Sequence, residues 1–176
     1  MADPFRLVVL KAITAQLKTI TPANGFEHDL SDFIDAAGRT QARVFRGRTE
    51  YGNNDPLPML SILEDPRAVE AVNGPDGSPM AANTLKLLIQ GFVKDDVENP
   101  LDPAYLLSAE TITALVRSKS KRFDILGLGH KAPCVMNIEV GQPAHRPPDD
   151  EVSAVAYFLV GVTLTLAENL EAPYGN

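Results

Sequence analysis

One cysteine, Cys134, in a chain of 176 residues excludes an internal disulfide and any metal site built from several thiolates. No run approaches the ~20 consecutive apolar residues that cross a bilayer. The start of the chain lacks the basic, apolar, small-residue order of a secretory leader, because Asp3 and Pro4 come before Phe5. Positive charge is scarce. There are 16 Lys+Arg against 23 Asp+Glu, a net charge of −7. The resulting pI near 4.9 argues against broad, non-specific nucleic-acid binding, which is driven by neutralising phosphates. From Pro147 to the C-terminus there is no Lys or Arg at all. These deficits describe a soluble protein made in a reducing compartment. What is present is ordinary globular composition, 44% hydrophobic and 22% charged, which argues against disorder. The length fits one domain, residues 1–176, burying roughly 70% of the surface its unfolded form exposes.

Hydrophobic spacing predicts the elements. Leu10, Ile13, Leu17 and Ile20 recur at helical intervals with Lys11 and Lys18 on the other side, giving an amphipathic helix over residues 3–20. Asp3 is placed to cap it and Pro4 to sit in its first turn; Thr21-Pro22 and Asn24-Gly25 stop it. In residues 26–42, Phe26, His28 and Leu30 alternate with charged residues, and Asp35-Ala36-Ala37-Gly38 suggests a turn. Residues 43–48 read as an arginine-lined strand, residues 51–56 as a loop, and residues 57–63 as a buried, central strand. Residues 73–79, dense in turn formers, join that strand to a long one over residues 82–94. There Leu85, Leu87, Ile89 and Val93 face one way, and Lys86, Leu88, Gln90 and Phe92 the other.

An acidic connector with Asp95, Asp96, Glu98 and Asp102 leads to a second helix, residues 103–118, with Leu106, Ile112, Leu115 and Val116 toward the core. Residues 123–133 hold too many glycines for a regular element. Residues 135–140 alternate as a strand, residues 141–150 form a proline-rich loop, and residues 168–176 are polar and peripheral. The apolar stretch 152–166 suits a strand or a helix by length, and its Val, Thr and Gly161 favour the strand. The order helix, strands, helix, strands indicates an α+β fold, with two principal helices packed on one face of a mainly antiparallel sheet.

Chemistry is thinly represented. His28, His130 and His145 are far apart, and no pair has the helical spacing of a metal site. His28 with Asp29, Asp32 and Asp35 is the best metal candidate, and a solvated loop or strand edge explains the same residues. Cys134 near His130 lacks an orienting partner and reads as a small buried side chain. Residues 124–130 contain Gly-x-Gly without the third glycine or following helix of a dinucleotide fingerprint, so those glycines serve a tight turn. No catalytic, cofactor-binding or metal residue is assigned, and a non-enzymatic role is expected.

Charge is unevenly spread. Arg117, Lys119, Lys121 and Arg122 form the dense positive patch, while Asp149, Asp150 and Glu151 open the stretch without basic residues. Residues 1–48 carry seven basic and five acidic groups, net +2; residues 49–176 carry nine and eighteen, net −9. Opposed charged surfaces let copies of a protein meet head-to-tail, which closes into a ring where the rotation permits. These seven patch residues are the candidate subunit interface.

The opening helix, the arginine strand, the run Asp55-Pro56-Leu57-Pro58-Met59-Leu60-Ser61-Ile62-Leu63-Glu64, the long strand at 85–93, the helix at 105–118 and the closing strand at 155–166 resemble, in their order, the tail terminator (tail completion) proteins of long-tailed bacteriophages. The likeness covers nearly the whole chain and lies in architecture rather than a diagnostic motif. The chain is longer than compact family members, with the extra length assignable to residues 26–42 and 121–133.

The resemblance implies a virion protein of the tail or neck, assembled in the bacterial host cytoplasm. It implies a homohexameric ring that caps the last ring of tail-tube protein, stops polymerisation and presents a surface to a neck or head-completion protein. DNA passes through the lumen without sequence recognition, and no membrane or cofactor is involved. The alternatives are a neck, head-completion or tube-like virion protein, a small metal-dependent cytoplasmic enzyme using His28, Asp29 and Asp32, and a small-ligand binding module.

Overall fold

The computed structural model describes residues 2–52, 54–65, 80–149 and 153–174, with two principal helices and eight strands among them. In chain order these are α1 (Phe5–Leu17), β1 (Phe33–Ile34), β2 (Thr40–Gln41), β3 (Val44–Arg46), β4 (Met59–Glu64), β5 (Met80–Val93), α2 (Asp102–Lys119), β6 (Cys134–Val140), β7 (Ala144–Arg146) and β8 (Ala156–Asn169). β1 and β2 make a small hairpin around the expected turn at Asp35. The main sheet has the order β3-β4-β5-β8-β6, with β7 also on β8. It is antiparallel except for β3, which runs parallel to β4. The fold is α+β, as the segregated order of elements indicates.

The centre of the sheet is the pairing of β5 with β8, 14 residues each, in unbroken register from Met80↔Asn169 to Val93↔Ala156. Alternation then fixes the faces. Leu85, Leu87, Ile89 and Val93 of β5 share a face with Phe158, Val160, Val162, Leu164 and Leu166 of β8, and all are buried in the main core. Both helices cover that face, contributing Phe5, Val9, Ile13, Leu17 and Leu107, Leu115. The opposite face holds a smaller cluster of Met59, Phe92 and Tyr157, against which Phe45, Tyr51 and Leu57 pack. The apolar stretch near the C-terminus is thus a strand, and β4 lies inside the sheet between β3 and β5. The turn-dense residues 73–79 fall outside the described residues.

Several expectations are corrected. Asp3 does not cap α1: the N-cap position is Pro4, with no side-chain cap, and Asp3 pairs with Lys11 instead. The first helical N–H, that of Phe5, donates to the Pro173 carbonyl at 2.7 Å. Of the segment expected to be peripheral, Glu168 and Asn169 belong to β8 and Pro173 is tied to α1, while Glu171, Pro173 and Tyr174 are exposed. In α1, Phe5, Val9, Ile13 and Leu17 are the buried hydrophobics, while Leu10 is half-buried. In α2 the core face is Ala104, Leu107, Ser108, Thr111, Ala114, Leu115 and Ser118; Leu106 is 37% and Val116 49% exposed. Small residues make up much of that face, so the buried stripe is not the most hydrophobic one. The loop expected over 141–150 contains β7, which continues along β8 where β6 ends. Within 123–133 there is one 3-10 turn, Ile125–Gly127, where Gly127 and Gly129 adopt φ of +72° and +73°. Asp124 Oδ1 accepts from Gly129 N at 2.9 Å, so this loop is a side-chain-braced tight turn.

Candidate functional site

α2 organises the polar surface. At its C-terminal end Arg117 and Lys119 occupy the last turn, where positive charge complements the helix dipole, and Lys121 and Arg122 follow; all four are exposed. They are not equivalent. The Arg117 guanidinium lies over the Phe26 ring at 4.6 Å and donates to the Asn24 carbonyl at 3.4 Å, tying the turn after α1 to α2. Lys119 borders an apolar groove of about 380 Å³ between α2 and β6, lined by Ile112, Leu115, Val116, Ile138 and Val140.

Of the expected acidic counterpart, Asp149 lies in the connection from β7 to β8, where its N–H donates to the Ser153 carbonyl at 2.8 Å; Asp150 and Glu151 fall outside the described residues. His145 of β7 stacks on Tyr105, ring centroids 3.6 Å apart, and its Nε2 meets Ser108 Oγ at 2.8 Å. β7 is thereby held to the N-terminal half of α2, away from the basic cluster.

A second acidic group lies near that N-terminal half. Glu27, Asp96, Glu98 and Asp102 line a cleft of about 380 Å³ with His28 and Leu106. The acidic connector is visible in the sequence. Glu27 joins it only through the tertiary contact of its loop with α2: the buried Glu110 carboxylate accepts from the backbone N–H of Glu27 and of His28, and contacts His28 Nδ1 at 2.7 Å.

The candidate chemical groups have local partners. Asp29 accepts from Ser31, whose hydroxyl and N–H hold its carboxyl below the ordinary value. Asp32 pairs with Lys18 at 2.7 Å. Asp35 closes the β1–β2 turn, with its carboxyl lowered by bonds from the Arg39 backbone and the Gln41 side chain. Among the described residues no group of three or more His, Cys, Asp or Glu side chains is arranged to hold a metal ion. Cys134 is buried in β6, while His130 is exposed and edge-on to Phe123. Ser108 and His145 do touch, but Ser108 is 2% exposed and its hydroxyl donates to the Tyr105 carbonyl at 2.9 Å. Which of Ser108 Oγ and His145 Nε2 donates depends on the imidazole tautomer. Burial holds the His145 pKa below its ordinary value.

Two further constructions stiffen the molecule. Arg48 bonds Asp55 at 2.7 Å and lies over Phe45, while Tyr51 stacks on Phe92 and Phe92 on Tyr157, fixing the loop that borders a cleft of about 560 Å³. Burial, helped by Asp55, raises the Tyr51 pKa. At the other end of the sheet the buried Glu168 accepts from Arg6, at 2.7 and 3.2 Å, and from Asn83 at 2.7 Å. Burial opposes the Glu168 charge, but the bonds from Arg6 and Asn83 and the charge of Arg6 outweigh it, so its pKa is lowered. Sequence reasoning missed this lock, because nothing local in residues 6, 83 and 168 marks them as neighbours.

The chain matches no family model and no curated protein. Among the described residues no helix is long and apolar enough to cross a membrane.

Proposed function

We propose that this chain is a structural virion subunit that forms a ring on the end of a phage tail tube, ends tube growth and joins the tail to the head or neck. The observation that supports this reading is the placement of opposite charges around one rigid helix. Basic groups stand at the C-terminal end of α2 and a carboxylate-lined cleft beside its N-terminal end, with the helix packed on a sheet built around two 14-residue strands. Separated complementary surfaces favour head-to-tail association, the geometry from which rings close. The engagement of Asp29, Asp32, Asp35 and His28 by their neighbours is consistent with work done by surfaces. The partners in this reading are copies of the chain, the tail-tube protein and a neck or head-completion protein. The net charge of −7 suits a lumen through which DNA slides without adhering.

The test is tube growth. Purified chain added to polymerising tail-tube protein halts elongation, and the protein is found at tube ends by electron microscopy. Tubes that grow to unchanged lengths with the protein absent from their ends would overturn the terminator reading; the protein lying along the tube would favour a tube-like subunit.

A further inference from the structure

We propose that the groove between α2 and β6 receives the acidic connector of a second copy of this chain, with Val97 as the apolar residue that enters it. This deepens the ring reading above and rests on it for the partner. The groove presents Val116, 49% exposed, with the half-buried Ile112 and Val140, over a floor of the buried Leu115 and Ile138, and Lys119 stands at its border; Lys121 and Arg122 are exposed on the turn that follows. A matching insert needs an exposed apolar side chain among carboxylates. Val97 is 94% exposed and lies between Asp95, Asp96 and Glu98. Its loop is preorganised, because Asp96 Oδ1 accepts from the N–H groups of Glu98 and Asn99 at 2.9 and 2.8 Å.

Other exposed apolar residues fit less well. Ile34, 64% exposed on the β1–β2 hairpin, is followed by Asp35, but that carboxylate is already engaged by Arg39 and Gln41. Tyr105 is stacked on His145, while Phe123 directly follows the basic turn itself. The groove and Val97 belong to opposite ends of α2, whose 18 residues span about 27 Å. Both are thus available at once, and each copy can hold one neighbour and be held by another. The contact is heterologous. Matched charge around a desolvated apolar centre is the arrangement that gives both register and affinity.

The test uses the full chain with Val97→Lys, Val116→Asp and the double variant, followed by light scattering across concentration at low ionic strength. Both positions are exposed, and circular dichroism checks that each variant is folded. Each single variant weakens association at least about tenfold, and the double variant regains a substantial part of the loss, because the introduced lysine meets the introduced aspartate of the next copy. Wild-type assembly that neither single variant weakens, or a double variant no better than the worse single, overturns this interface and leaves the ring reading standing. A wild-type chain that stays at 19.0 kDa with and without tail tubes overturns both. Assembly through these residues without any effect on tube growth overturns the terminator reading and keeps the interface.

Discussion

At Gly91 the sheet and the large core meet too closely for any side chain. A Cβ built there falls 2.0 Å from Cε1 of Phe158, its cross-strand partner. Phe158 is fully buried, so its ring has no free space to move into. Gly91→Ala therefore costs about 1–3 kcal/mol by overpacking, read as a lower denaturant midpoint.

Glu168 behaves differently, because its contribution depends on pH. A carboxyl whose pKa is lower in the folded chain stabilises above its ordinary value, 4.5, and loses that contribution as pH falls through the folded value. Glu168→Gln thus lowers stability by about 1–3 kcal/mol at neutral pH. Thermal melts should show the difference from wild type shrinking steadily below pH 4.5. A difference independent of pH would mean that the packing of residue 168, not its charge, holds the C-terminal segment to α1.

Among the elements, α2 separates hydrophobicity from burial. Leu107→Ala removes a fully buried side chain and costs about 2–5 kcal/mol, whereas Leu106→Gln, on the exposed side, changes stability by about 0.5 kcal/mol or less. The reverse order would place the helix in the phase that its large residues suggest. This helix also marks the limit of what was legible in the sequence. β5 was legible, since strict alternation over many residues fixes both faces of a strand buried between two others. β4 and β8 were readable as apolar runs with turn formers or β-branched residues beside them. The phase of α2 was read only at Leu115, because apart from Leu107 and Leu115 its contact face is built from Ala104, Ser108, Thr111, Ala114 and Ser118, which carry little hydrophobic signal. β7 was hidden by prolines, and its pairing depends on β8 more than on its own three residues. The charge clusters were visible as composition. The acidic connector before α2 and the basic residues at its end were thus legible; that Glu27 joins the acidic cleft was not, since it reaches that end through Glu110.

Among the described residues, α2 has basic groups at its C-terminal end and a carboxylate-lined cleft at its N-terminal end. The β5–β8 pair and the two helices over it form one packed body around the main core. Arg117 is committed to Phe26 and Asn24, whereas Lys119, Lys121 and Arg122 are exposed, so in the proposed ring these three are the basic groups that would face a neighbour. Surface attraction of this kind is screened within about 8–10 Å at ordinary salt, so its effect is largest in dilute buffer. The most direct measurement is the light-scattering mass of the wild-type chain beside a Lys119→Glu, Lys121→Glu, Arg122→Glu variant at low ionic strength. Function through contact between identical copies predicts a wild-type mass several times 19.0 kDa that falls in the variant and on adding salt. A wild-type mass equal to one chain at every concentration, or one that neither salt nor the reversal changes, would contradict it.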